Sequence, residues 1–313
     1  MKNLVRLRAY AKVNLCLHVL GKRADGYHEL RTIFQAISLH DTVELRRVRG
    51  DVAASGGEIR LETDDKALPT DGRNLVYRAI EAVTKGTGYR GGIAAKLTKK
   101  IPVGRGLGGG SSDAASALVG TLRLIGKKLP VDELIAMASE LGADVPFFLL
   151  GGRALGVNRG DEIYPLEDGR RQPVVVVSPR GISVATKDAY QWIGEGRGRE
   201  EATDAGLTKA AAPRKLFKFC ALCWGRSGGH LANDFEGPVF ERHPRLREIR
   251  SQLLKQGATE AALAGSGSAV FGLFRSPAQA RRTARAFPGD EVFVVETLPR
   301  KVCALVRPPY FIA

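Results

Sequence analysis

The sequence predicts an α+β fold in two domains, and three observations lead there. The chain has 313 residues, more than one ordinary domain needs. Its strand-like segments alternate polar and apolar residues, the pattern of antiparallel sheets covered on one face. One strand candidate runs through a glycine-rich loop straight into an alanine-rich helix start, "VGRGLGGGSSDAASAL" at 103–118.

Residues 4–20 read as a first strand with Val5, Leu7, Ala9, Ala11, Val13, Leu15 and Leu17 on one face. The stretch 24–48 reads as a loop and one or two strands, and 59–65 as another short strand. "RNLVYRAIEAVTKGTG" (73–88) is an amphipathic helix ended by glycine, and 91–103 is an alternating strand leading into the glycine loop. Helices follow at 111–125 and 131–142, the second opening after Pro130 and closing at Gly142. "RALGVNRGDEIYPL" and "PVVVVSP" are strand-like, and the Gly/Arg-rich 194–206 reads as an exposed loop. Helices at 212–224 and 244–256 precede a strand, helix, strand series from 260 to 308. No internal repeat is visible.

Composition narrows the function classes. With 44% hydrophobic and 26% charged residues the chain reads as a soluble globular protein. Apolar runs such as "VPFFLLGG" are core-sized, below the ~18 residues of a membrane span. The N-terminal segment alternates as a strand would, so no secretion signal is expected. Four scattered cysteines point to a reducing cytoplasm. Cys220 and Cys223 form a C-x-x-C, but with no second pair or nearby histidines they read as buried thiols rather than a zinc site. The net charge of +15 fits nucleic acid, an anionic surface or small polyanions. Lys and Arg are dispersed, with no block of five or six, which suits phosphorylated substrates at least as well. Charge alone does not decide.

Five glycines occupy the seven positions 104–110. A strand, a glycine loop and a helix start are the parts with which backbone N–H groups and a helix N-terminus hold an anion. Ser111 and Ser112 fall at the expected helix start, so one can cap it while the other offers a hydroxyl to a phosphate or a metal ion. Gly104, Gly106 and Gly109 match the dinucleotide fingerprint only formally: no strand ending in an acidic residue follows at the usual distance. The G-x-x-x-x-G-K-[ST] loop is excluded because no lysine precedes the serines. A linker that binds nothing would not pass directly into a capped, alanine-rich helix.

"PVGRGLGGGSSDAASAL" resembles the P-x-x-x-G-L-G-S-S-A-A phosphate loop of the galactokinase, homoserine kinase, mevalonate kinase and phosphomevalonate kinase superfamily. "AKVNLCLHVLGKRADGYHELRTIFQAISLHDTVEL" (11–45), "LGADVPFFLLGG" (141–152), "ANDFE" (232–236) and "ALAGSGSAVFGLF" (262–274) are also similar, in the family's order. The resemblance implies a two-domain α+β small-molecule kinase fold with the active site in the interdomain cleft. Residues 1–164 would form the ATP-binding domain and 165–313 the domain that completes the substrate cleft. It implies ATP, with Mg2+ carried on the nucleotide, in a cradle of Pro102, Val103, Gly104, Arg105, Gly106, Leu107, Gly108, Gly109, Gly110, Ser111 and Ser112. It assigns catalysis to Asp144 as base and Lys12 as electrostatic partner. Taken alone, Asp144 also reads as a turn residue that caps backbone N–H groups, and Lys12 as a solvated strand residue. A buried unpaired ammonium would be costly, so a Lys12 that is not solvated needs a carboxylate.

The tripled glycine and "RADGYHE" resemble the branch whose acceptor carries a cytidine diphosphate group and which serves the non-mevalonate route to isoprenoid precursors. That implies Tyr27 and Tyr190 on the two faces of a cytosine, His28 at its edge and Asn14 near the acceptor. It also implies a glycine turn at 265–267 close to the phosphates. Without the resemblance these residues read as half-buried packing, a turn histidine, a backbone-bonded asparagine and a tight turn. Arg105 stands where the family usually has a small residue, and 193–230 resembles nothing recognised. The expected partner is a small-molecule substrate with a cytidine diphosphate group, without nucleic acid or membrane, on a monomer or homodimer. The rivals are a superfamily kinase for homoserine, mevalonate or a sugar, and a nucleic-acid-binding protein, which the dispersed charge opposes.

Overall fold

A computed structural model describes residues 3–48, 57–201 and 231–306. The first sheet contains β1 (Leu4–Lys22), β2 (His28–Val48), β3 (Ile59–Thr63), β4 (Gly92–Thr98), β5 (Arg153–Val157) and β6 (Glu162–Pro165). After β7 (Pro173–Ser178) has entered a second sheet, the two-residue β8 (Ala232–Asn233) returns to the first. Its order is β3-β4-β2-β1-β8, with β5 also pairing β2 and carrying β6. The second sheet adds β9 (Glu260–Leu263), β10 (Val270–Leu273) and β11 (Glu291–Glu296) in the order β11-β7-β10-β9. Pairing is antiparallel except β3 with β4 and β1 with β8, in line with the alternating strands of the sequence.

Helices cover the outer faces. α1 (Leu75–Thr87), α2 (Gly109–Ile125), α3 (Val131–Leu141) and α4 (Val145–Leu150) share one buried cluster with β1, β2 and β4. α5 (Thr186–Glu201), α6 (Glu236–Arg242), α7 (Pro244–Lys255) and α8 (Pro277–Ala284) lie along the second sheet. A third cluster joins the inner faces: Ala11, Val13, Ile33 and Ile37 meet Val174, Val176, Ala262 and Phe271. The sheets are thus bonded face to face by apolar burial, of the order of 25 cal/mol per Å² removed from water. α9 (Arg300–Cys303) brings the chain back to the first half, where Gly152 N–H donates to Cys303 Sγ and Leu305 N–H to Leu149 O.

Several expectations are corrected. The single apolar face read for 4–20 is divided: register shifts between Tyr10 and Ala11 and between Asn14 and Cys16 turn the strand. Val5 and Ala9 join the cluster under α1–α4, Ala11, Val13 and Leu15 the inter-sheet cluster, and Leu17 the cluster between the second sheet and its helices. Of the one or two strands expected after the loop at 24, there is one, β2, continuous over 21 residues. α2 starts at Gly109 with Gly108 as N-cap and no side-chain cap bond, so neither Ser111 nor Ser112 caps it. The segment read as a loop from 194 is helical through Glu201, as α5. Two strands, not one, precede α8. The helix expected at 212–224 and the Cys220–Cys223 pair lie outside the described residues.

Candidate active site

A cleft of about 1010 Å³ opens where the two sheets meet. It is lined by β1 and β2 (Lys12, Asn14, Thr32, Phe34), the loop from Pro102 to Ser111, Asp144, and Thr186, Tyr190, Phe235, Gly265 and Ser266 of the second half. Of the residues expected to form the cradle, the catalytic pair and the acceptor site, all but Ser112, which is 2% exposed, line it.

The loop owes its path to backbone conformations that only glycine adopts without strain. Gly106 has φ 78°, and a Cβ there would stand 1.9 Å from Ala264 O. Gly108 has φ 71°, and a Cβ there would press on Phe148 Cζ at 2.7 Å and on the Lys12 stem. The loop therefore touches the turn at 264–268 on one side and β1 and α4 on the other. Lys12 N–H donates to Leu107 O at 3.0 Å, tying the loop to β1. With Gly108 as N-cap, the first N–H groups of α2 remain available at the cleft, an anion site by geometry and dipole.

Beside this cradle, Lys12 Nζ lies 3.2 Å from Asp144 Oδ2. It also donates to Asn14 Oδ1 at 2.9 Å and stands 5.5 Å from the Phe34 ring centroid. Asn14 Nδ2 donates to Thr32 Oγ1 at 2.7 Å, whose hydroxyl donates to Cys16 O at 2.8 Å. The chain of bonds fixes the ammonium from below. Asp144 precedes α4 yet makes no capping hydrogen bond, so its carboxylate faces Lys12 and the cleft rather than the helix backbone. Its negative charge is felt at Tyr190, whose phenol is pushed well above its ordinary range, first by burial and second by Asp144.

At the other end, His28 and Tyr190 stack on each other with ring centroids 4.6 Å apart, and Phe235 meets Tyr190 edge-on at 4.9 Å. Tyr27 is 57% exposed, under the guanidinium of Arg159 at 5.0 Å. The structure brings His28 and Tyr190 together and leaves Tyr27 at the rim. Three contributors were not singled out in the sequence. Phe235 lies in the "ANDFE" motif, whose aromatic was the available signal. Arg159 carried none, nor did Thr186, whose hydroxyl lies 3.1 Å from that of Ser266 in the expected 265–267 turn. Under the cradle, Lys99 is held between Asp41 (2.5 Å) and Asp113 (2.7 Å), while Asp113 Oδ1 has no hydrogen-bond partner. Burial drives the Asp113 carboxyl up to about 7, Lys99 opposing and Asp41 reinforcing. Burial works against the Lys99 ammonium, but the two carboxylates outweigh it and its pKa is raised.

An anion cradle next to a carboxylate–ammonium pair, in a cleft between two sheets, defines an ATP-dependent small-molecule kinase. Residues 74–152 match the GHMP kinases N terminal domain and residues 219–291 the GHMP kinases C terminal domain. The chain belongs to the GHMP kinases, in the family of 4-diphosphocytidyl-2-C-methyl-D-erythritol kinases. The protein of that name from Solibacter usitatus is 44% identical over 298 residues, spanning 94% of this chain and 89% of its own. The one from Synechococcus sp. is 38% identical, spanning 94% of each. A crystal structure of 4-(cytidine 5'-diphospho)-2C-methyl-D-erythritol kinase, 35% identical, superposes with a TM-score of 0.74 over 94% of this chain and 99% of its own. Homoserine kinase from Cytophaga hutchinsonii shares the fold at 22% identity, with a TM-score of 0.73 over 96% of each chain. No helix among the described residues is long and apolar enough to cross a membrane.

Proposed function

We propose that this kinase moves the γ-phosphate of ATP to the 2-hydroxyl of 4-diphosphocytidyl-2-C-methyl-D-erythritol, a step of non-mevalonate isoprenoid precursor synthesis. The observation that carries the reading is the Lys12–Asp144 pair, 3.2 Å apart, between a glycine cradle and an aromatic pocket. Residues 102–112 hold the triphosphate on loop N–H groups and the N-terminus of α2. Asp144 accepts the proton of the acceptor hydroxyl as its oxygen bonds to the γ-phosphorus, and ADP departs with the bond it breaks. Lys12 orients Asp144 and neutralises charge on the transferring group, and Asn14 holds Lys12 and the acceptor's approach. Tyr27, His28 and Tyr190 bind the cytosine, Tyr190 and His28 lying stacked on each other beside the cleft. Residues 1–164 and 165–313 serve as the nucleotide half and the half that completes the cleft.

Magnesium keeps most of its water and needs few protein donors. Among the described residues no cluster of three or more His, Cys, Asp or Glu is placed to hold a metal. Ser111 lines the cleft and Ser112 is buried, so Ser111 is the hydroxyl that fits a nucleotide-borne ion. When bound, the ion would neutralise phosphate charge.

The deciding experiment is a phosphate-transfer assay with acceptor alcohols bearing and lacking the cytidine diphosphate group. Turnover confined to the cytidine-bearing acceptor supports the reading. Equal turnover of homoserine, mevalonate or a sugar sinks it.

A further inference from the structure

Arg105 sits where the loop meets the turn at 264–268. Arg105 O accepts from Ala269 N–H at 3.2 Å, and its guanidinium donates from Nη1 to Ser268 Oγ at 2.7 Å. Ser268 is fully buried, and its hydroxyl gives its single proton to Ile182 O at 2.8 Å. Toward Arg105 that oxygen can therefore only accept, and a guanidinium can only donate. The direction of the bond is fixed by the chemistry of both ends. It joins the nucleotide loop, which follows β4 of the first sheet, to a turn between β9 and β10 of the second. Gly104, Gly106 and Gly108 all have positive φ, and ordering a loop of glycines costs more backbone freedom than ordering other residues.

We propose that Arg105 and Ser268 form a clasp that holds the phosphate loop against the 264–268 turn, which makes Arg105 a positioning residue for ATP. The proposal rests on the reading that residues 102–112 carry the triphosphate. A loop already ordered by the clasp loses less freedom on binding, so the nucleotide is held more tightly. A small residue at 105 would have no atoms with which to reach Ser268.

The test measures ATP affinity by calorimetry, and KM for ATP and for the acceptor, in Arg105→Ala, Ser268→Ala, the double variant, Arg105→Lys and Gly108→Val. A hydrogen bond from a charged donor predicts about tenfold weaker ATP binding in each single alanine variant. The double variant should be no weaker than the worse single, the acceptor KM should not move, and Arg105→Lys should recover part of the loss. A large loss in Arg105→Ala with wild-type behaviour in Ser268→Ala overturns the clasp and makes Arg105 a direct phosphate ligand. Silence of both singles, or parallel rises of both KM values with a falling melting temperature, also overturns it. Gly108→Val drives a side chain into Lys12 and Phe148 and should abolish ATP binding while the protein still melts cooperatively. If it binds ATP normally, the loop reading fails and the clasp with it. Should it fail to bind while both alanine singles bind as wild type, the clasp alone fails.

Discussion

Lys12 Nζ and Asp144 Oδ2 stand 3.2 Å apart, yet the lysine side chain is 5% exposed and the aspartate 33%. The pair is lopsided: the ammonium is committed to the protein, while the carboxylate keeps a face to the cleft. That is the arrangement a proton acceptor for an incoming alcohol requires.

Asp144→Asn removes basicity while keeping size. A general base contributes about 10²–10⁴-fold, so kcat should fall by that range with ATP affinity nearly unchanged. Because Asp144 makes no capping bond, the melting temperature should hardly move. Near-normal turnover in the folded protein would reduce the mechanism to positioning and charge.

Lys12→Met should resemble the base variant in kcat without a large loss of stability. The methionine fills the buried space, and Asp144, left without its partner, can rehydrate through its exposed face. Asn14→Ala frees Lys12 from below and should lower kcat about tenfold. Steady-state kinetics beside thermal melts check both, and a variant that unfolds with unchanged kcat per folded molecule would contradict them.

Tyr190→Ala should raise the acceptor KM and spare the KM for ATP. A stacked base contributes about 1–3 kcal/mol, hence roughly 5- to 150-fold. Deleting the cytidine from the acceptor should cost most of the activity in the wild type, since remote binding energy positions the reacting hydroxyl. Equal effects of Tyr190→Ala on both substrates would reassign the ring to general packing.

Asp113 gives the fold a signature in pH. Its folded-state pKa is raised from 3.8 to about 7 by burial, so the native state holds a proton that the unfolded chain has released. The stability this contributes is complete below the unfolded pKa and is lost as pH rises through about 7. Asp113→Asn mimics the protonated form. Its melting temperature relative to wild type should climb between pH 4 and pH 7, an interval set by the same shift. A constant difference across that interval would refute the assignment.

Binding to mixed DNA or RNA should be weak and vanish at moderate salt if the charge of +15 serves small polyanions. Filter binding across a salt series is sufficient. Tight binding that survives near-physiological salt would revive the nucleic-acid reading.

Much of this was legible in the sequence because the features are local. α2 and α3 announce themselves by periodicity and by Gly126, Pro130 and Gly142, and the cradle by its glycines. The division of β1 among three clusters was not legible, because it comes from register shifts against β2 that alternation alone does not encode. α4 is six residues of "VPFFLL", too short for a helical period to show, and with Val145, Phe147 and Phe148 all buried it has no polar face to mark it. The glycines at 194 and 196 argued for a loop, yet α5 runs past them, tertiary packing of Ala189 and Ile193 overriding propensity. The motif residues of the cleft were found, but the stack of His28 on Tyr190 joins distant segments that no spacing relates.

β8 has consequences for how the protein is made. Asn233, in this two-residue strand, donates to Leu263 O and Gly265 O, while β8 itself pairs with β1. The strand that carries Lys12 emerges early from the ribosome, and the turn that faces it emerges late. A nascent chain that has reached only α4 leaves Ala11, Val13, Ile33 and Ile37 bare, a surface for chaperones to shelter. A chain synthesised only as far as α4 still lacks Tyr190, Phe235, Gly265 and Ser266, so the wall that faces Lys12 is missing until those later segments have followed.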